Sequence, residues 1–152
     1  MQKNKIIYYC LIALNLIILP MVAFLIYAHF KPEATDFCTL GEQWRCDVVN
    51  KSIYSTIFGI PVAIPGLLTY LALLGFSIRG LKKDQTKLIP YALAFVGFGV
   101  LFSLYLTYVE AFILHTYCIF CVAQQLVILI QFGLFAYLFK ITRKSGKLKN
   151  FL

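Results

Sequence analysis

Charge is scarce in this chain: Asp, Glu, Lys and Arg make up 13% of its 152 residues, against 61% hydrophobic residues and a mean hydropathy of +0.83. A soluble globular domain carries about 25% charged residues, so an ordinary water-soluble globule is excluded and the bilayer is the expected solvent. An internal repeat and a low-complexity tract are also lacking, and the length suits a single domain, residues 1–152. The first apolar run is preceded by basic residues, as a signal peptide is. It lacks a small-x-small cleavage site followed by a soluble domain, so it is expected to stay as a true span. The formal net charge of +8 does not point to nucleic acid, because the basic residues sit at the ends of apolar runs rather than along one amphipathic face.

Long hydrophobic stretches are what the sequence has in abundance. Four of them, at 6–28, 60–78, 88–109 and 117–139, are each about long enough to cross a ~30 Å hydrocarbon core as a helix. The expected fold is therefore an all-α membrane protein, a four-transmembrane-helix bundle. The first connection, 29–59, holds the only sizeable polar segment; the second is short and basic, and the third is barely a turn around 112–116. Lys3, Lys5, Arg79, Lys82, Lys83, Lys87, Lys140, Arg143, Lys144, Lys147 and Lys149 fall on one side of this arrangement. Only Lys31, Arg45 and Lys51 fall on the other. Because segments rich in Lys and Arg resist translocation, both termini are expected in the cytoplasm and the first loop outside.

Within that outer loop, residues 48–58 have the apolar spacing of a short amphipathic helix, with Val49, Ile53, Ile57 and Phe58 placed to lie on the membrane surface. Asp47 would cap its start, and Gly59 and Pro61 would end it. Asn50-Lys51-Ser52 fits a glycosylation pattern, but the pattern is short and bulk there would crowd the neighbouring thiols.

Of the five cysteines, Cys118 and Cys121 form a Cys-Ile-Phe-Cys motif at the expected start of the fourth span. The positive end of a helix dipole favours a thiolate there, and residues three apart share a helix face. Cys38 and Cys46 lie in the outer loop, on the same side of the membrane, where disulfides can form and persist. One pair in water and one at the membrane edge make the layout of an electron relay: a soluble dithiol reaches the first, an apolar oxidant the second, and thiol exchange joins them. Arg45 and Lys51 flank Cys46 as loop charges. Four thiolates could instead bind zinc, yet only one pair has a metal-knuckle spacing, and no metal is expected. Cys10 stands alone in the first span and reads as structural or lipid-facing.

Uncharged amides inside hydrocarbon need partners, and the fourth span has Gln124, Gln125 and Gln131. Gln125, one turn below Cys121, could donate a hydrogen bond to a quinone carbonyl or to a neighbouring helix. Tyr70, Tyr105, Tyr108 and Phe120 could wall an apolar pocket, although most aromatics in so aromatic a chain simply face lipid. Glu110 and His115 bracket the turn before the motif, where protons must be exchanged if a quinone is reduced. The carboxylate is the costlier of the two at a membrane edge, while His115 suits a headgroup contact.

The ordered set of Cys38, then Cys46-Asp-Val-Val-Asn-Lys-Ser52, then Ser55-Thr-Ile-Phe-Gly59-Ile-Pro61 leading into a span, then Tyr117-Cys-Ile-Phe-Cys121 on the last helix, resembles the vitamin K epoxide reductase family, and its bacterial branch in particular. The likeness covers nearly the whole chain. It implies that Cys118 and Cys121 are the redox pair with Cys121 nearest the quinone, that Cys46 trades disulfides with Cys118, and that Cys38 with Cys46 communicates with a partner. It also implies that the loop segment bearing Ser52 and Phe58 caps a quinone pocket beside Gln125 and Glu110. Where the animal enzymes carry tyrosine one turn below the second motif cysteine, this chain has Gln125. No thioredoxin-like domain follows the fourth span, so the expected partner is a separate periplasmic thioredoxin-fold protein of the DsbA-like kind, and the acceptor ubiquinone or menaquinone in a bacterial inner membrane. The expected activity is thus a thiol oxidase. A vitamin K epoxide or quinone reductase running the same relay, and a tetraspan scaffold with structural disulfides, are the alternatives.

Overall fold

In a computed structural model, residues 2–31, 44–82 and 86–144 are described. Four long helices dominate: α1 (Gln2–Phe30), α3 (Ala63–Lys82), α4 (Ile89–Tyr108) and α5 (Ile119–Lys144). Between α1 and α3 lie a five-residue helix α2 (Cys46–Asn50), a 3-10 turn at Ile53–Ser55 and a small antiparallel hairpin of β1 (Thr56–Ile57) and β2 (Ile60–Pro61). All four long helices are apolar and long enough to cross a membrane. In hydrocarbon the backbone must satisfy its own hydrogen bonds, which a helix does within one segment. The bundle accordingly exposes a belt of large apolar side chains, among them Leu16 and Ile17 of α1, Phe98 and Leu101 of α4 and Ile130 of α5. Such a continuous apolar surface is tolerable only against lipid.

The helices run past the apolar stretches that predict them. α3 ends at Lys82 rather than near residue 78 and α5 at Lys144 rather than near residue 139. Basic side chains at these ends complement the helix dipole and can extend their heads toward headgroups, so helical structure outlasts hydrophobicity.

α1 packs mainly on α3, α4 on α5, and a contact of α1 with α5 joins the two pairs. The main core is made of Leu11, Ile18 and Val22 of α1, Tyr70 and Leu73 of α3, Val96 of α4 and Phe135 of α5, with their neighbours. Because lipid tails are as apolar as these side chains, close packing rather than water exclusion holds such helices together. Gly80 shows how close: a methyl group there would overlap the Tyr8 ring across the α1–α3 interface.

The loop departs from the single helix expected over 48–58. α2 begins at Cys46 and stops at Asn50, and Arg45, not Asp47, occupies the capping position, with no side-chain cap bond. Asp47 instead sits in the first turn and pairs with Arg45 at 3.6 Å. The helix stops because side chains take up its carbonyl groups. Ser52 Oγ donates to the Val49 carbonyl at 2.8 Å, and Ser55 Oγ to the Asn50 carbonyl at 2.6 Å and the Ser52 carbonyl at 2.7 Å. Serine hydroxyls compete in this way with helical ladders. Phe58 and Gly59 then turn the hairpin with φ of 51° and 78°, the pair of positive values that a two-residue hairpin with the right twist requires. Val49, expected on the membrane surface, is buried, whereas Ile53, Ile57 and Phe58 are exposed.

Candidate functional site

Three sulfurs meet where the loop touches the start of α5. α4 does not end at Tyr108 but widens into a π-helical turn, Val109–Leu114, a local insertion that often marks functional positions. His115 then adopts a left-handed conformation (φ 48°), which reverses the chain so that Tyr117 runs beside the loop. Trp44 and Tyr117 form a parallel β-bridge, the Arg45 N–H donates to the Tyr117 carbonyl at 3.0 Å, and the Trp44 and Tyr117 rings lie 5.6 Å apart. Cys46 lies two residues after Trp44, and Cys118 directly follows Tyr117. Both are buried, and they pack in one cluster with Leu25 and Val49, flanked by Cys121, Phe120 and Leu114.

The chemical states of the thiols differ. Cys46 is disulfide-bonded, while Cys118 and Cys121 are free; Cys38 lies outside the described residues. The Cys121 N–H donates to Cys118 Sγ at 3.3 Å. Thiol–disulfide exchange needs an attacking sulfur beside a disulfide, and Cys118 beside Cys46 supplies that arrangement. Cys10 is a free, exposed thiol on α1, facing outward from the bundle.

Beside Cys121 the helices part around a cavity of about 460 Å³, within the size range of small-molecule sites. Its walls come from α3, α4, α5, the loop and the foot of α1, and they are mostly apolar. Ser52, Glu110, Cys121 and Gln125 all line it. Phe58 does not: it stands fully exposed at the hairpin tip. Tyr70 is a buried cavity wall whose hydroxyl reaches the Gln124 carbonyl at 3.4 Å. Tyr105 and Tyr108 are exposed and outside it, and Phe120 packs on Phe24.

Polar groups around the cavity are held in set directions. Thr107 Oγ1 of α4 donates to Gln125 Oε1 of α5. With its oxygen so occupied, Gln125 offers N–H donors to whatever fills the space. Glu110 is 3% exposed; its Oε2 accepts the Cys118 N–H at 3.3 Å and its carboxyl also contacts the Cys121 thiol. His115, by contrast, is exposed.

Asn50 is a residue that sequence reasoning passed over. Its Nδ2 donates to the Leu25 carbonyl at 2.8 Å, and its own carbonyl receives His29 Nδ1 at 2.6 Å as well as Ser55 Oγ. These bonds tie the loop over the cavity to the end of α1. An amide next to a membrane-facing loop is the only sequence signal for this, and it is shared with the glycosylation pattern.

Cys118 and Cys121 thus stand at the head of the last helix, with Cys46 packed in the same cluster and a cavity beside Cys121. The sequence model of the vitamin K epoxide reductase family matches residues 9–136, and the chain belongs to that family, whose members are membrane thiol–disulfide oxidoreductases of the quinone-reducing kind.

Proposed function

We propose that this chain is a membrane thiol oxidase that makes disulfides in a soluble thioredoxin-fold protein and passes the electrons to a membrane quinone. A reduced partner dithiol exchanges with the Cys38–Cys46 disulfide, Cys46 and Cys118 exchange in turn, and the dithiol of Cys118 and Cys121 reduces the quinone in the cavity. For each turnover one partner disulfide and one quinol form. The reading rests on one observation above all: Cys46 and Cys118 share a buried cluster while Cys121 forms part of the cavity wall.

A quinone ring presents two carbonyl acceptors, and Gln125 supplies donors beside Cys121. The acceptor enters from hydrocarbon between α3 and α4, where Leu68 and Phe98 both line the cavity and face lipid. Gln125, standing where the animal enzymes have tyrosine, favours a respiratory quinone over vitamin K epoxide. The distribution of Lys and Arg supports an outward-facing thiol end, and in a bacterial inner membrane a DsbA-like partner would meet it there.

The test is quinone reduction by purified protein in liposomes, with a reduced thioredoxin-fold protein as donor. Cys118→Ala and Cys121→Ala should each abolish it, and Cys10→Ala should leave it unchanged. Full activity in either motif variant overturns the proposal, as does formation of reduced vitamin K from its epoxide with no reduction of quinone.

A further inference from the structure

Glu110 is the one carboxyl group among the residues that wall the cavity, and the relay above gives it no task. A carboxyl with 3% exposure in a membrane bundle is expensive to keep unless it is used or neutralised. Neutralisation by a cation is not what its surroundings provide. Among the described residues, no Lys, Arg or His lines the cavity. The other titratable groups that face this space are the thiol of Cys121 from α5 and the phenols of Tyr54 and Tyr70 from the loop and α3, with the buried Cys118 thiol just behind Cys121.

Its position is built rather than incidental. The π-helical turn holds Glu110 against α5, its backbone carbonyl accepts the Thr116 N–H at 3.1 Å, and its Oε2 accepts the Cys118 N–H at 3.3 Å. Cys121, whose N–H donates to Cys118 Sγ at 3.3 Å, lines the same cavity as Glu110. Cys118, Cys121 and Glu110 are therefore gathered at one corner of the cavity, with Cys121 and Glu110 in its wall.

We propose that Glu110 is a catalytic residue of this site, the general base that takes the thiol protons and the acid that delivers them to the quinone. The inference rests on the quinone reading above. When the dithiol is oxidised, two S–H bonds break, one S–S bond forms, and two electrons pass to the ring; the two protons released are those the quinone needs to become a quinol. Glu110 as carboxylate accepts the Cys121 proton, gives it to one ring oxygen, and returns to the carboxylate for the Cys118 proton, which goes to the other. No further oxidant or proton donor is required.

The experiment uses the full chain in detergent with dithiothreitol as reductant and a short-chain quinone as acceptor, comparing wild type, Glu110→Gln and Glu110→Asp from pH 5 to pH 9. General acid–base catalysis contributes about 10²–10⁴-fold, so Glu110→Gln should lose about that factor near neutrality with little change in KM for the quinone. The loss should shrink toward high pH, where hydroxide can take the thiol proton directly, and Glu110→Asp should recover part of the rate. The iodoacetamide alkylation rate of Cys121 should lose part of its pH dependence in Glu110→Gln, a readout that a purely structural role would not move. Glu110→Gln within about fivefold of wild type at every pH overturns the proposal, as does a pH-independent loss that Glu110→Asp does not relieve. Quinone reduction that persists in Glu110→Gln but vanishes in Cys121→Ala overturns the role of Glu110 alone. A wild type that reduces no quinone at all overturns the relay itself.

Discussion

Replacing Asn50 by alanine should loosen the loop over the cavity without disturbing the bundle beneath it. The side chain makes one buried bond to α1, Nδ2 to the Leu25 carbonyl at 2.8 Å. A typical intramolecular hydrogen bond contributes about 0.5–1.5 kcal/mol net, and the void left by a small amide adds to that, so a total of about 1–2 kcal/mol is expected. That energy is lost locally, because the main core of α1, α3, α4 and α5 does not include Asn50. A change of 1–2 kcal/mol multiplies an opening equilibrium by about 5–30. Amide hydrogen exchange reads the effect directly: Lys51, Ser55 and Val62, whose N–H groups bond Asp47, Ser52 and Ser55, should exchange about 5–30 times faster in Asn50→Ala. Amides in the middle of α4 and α5 should keep their wild-type rates. Unchanged exchange at the loop positions would refute the claim that Asn50 fastens it, and an equal acceleration throughout the bundle would show the effect to be global unfolding.

Two further substitutions probe other joints of the site. Thr107→Val removes the hydroxyl that orients Gln125 while keeping its shape; losing about 1 kcal/mol of ligand contact should raise KM for the quinone about fivefold with kcat nearly kept, and an unchanged KM removes Gln125 from the ligand contacts. Gly80→Ala drives a methyl group into the Tyr8 ring; overpacking of this kind costs about 1–3 kcal/mol, so thermal unfolding in detergent should shift downward, and adding Tyr8→Leu should recover part of the loss, whereas strictly additive effects would mean the two residues do not meet.

The bundle was legible because its signal is redundant: each span is a run of some twenty apolar residues, and no reading of residues such as Leu16, Phe98 or Ile130 puts them in water. The placement of Cys118 and Cys121 at the head of the last helix was legible because their spacing and order along the chain are properties of sequence alone. Where the reading failed, the cause was a bond between residues far apart in the chain. Residues 48–58 carry apolar spacing suited to a helix, but Asn50 bonds α1, 25 positions away, and Ser52 and Ser55 divert the carbonyl groups. Phe58 looked like a pocket contact on that imagined helix and instead sits on a hairpin turn. Gln125 could be singled out as an amide in need of a partner, yet Thr107, which orients it, looked like any other residue of an apolar span.

The π-helical turn at Val109–Leu114 left no periodic trace, since a single widened turn shifts the pattern by one residue near the end of an already uniform apolar run. Its consequences reach furthest. Irregular backbone at membrane depth survives only where protein buries it or where it lines a cavity, and this turn does both: Val109 and Glu110 are buried, and both line the space beneath Cys121. Were α4 to continue as a regular helix, Glu110 would be rotated by the fraction of a turn that the extra residue supplies, and the reversal at His115 that brings Tyr117 against Trp44 would be displaced with it. One local distortion thus fixes two separate requirements, a carboxyl against Cys121 and a strand edge that holds Cys46 beside Cys118. A deletion within this turn should therefore uncouple sulfur exchange and quinone chemistry together, where point changes at Glu110 or at the loop would affect one and spare the other.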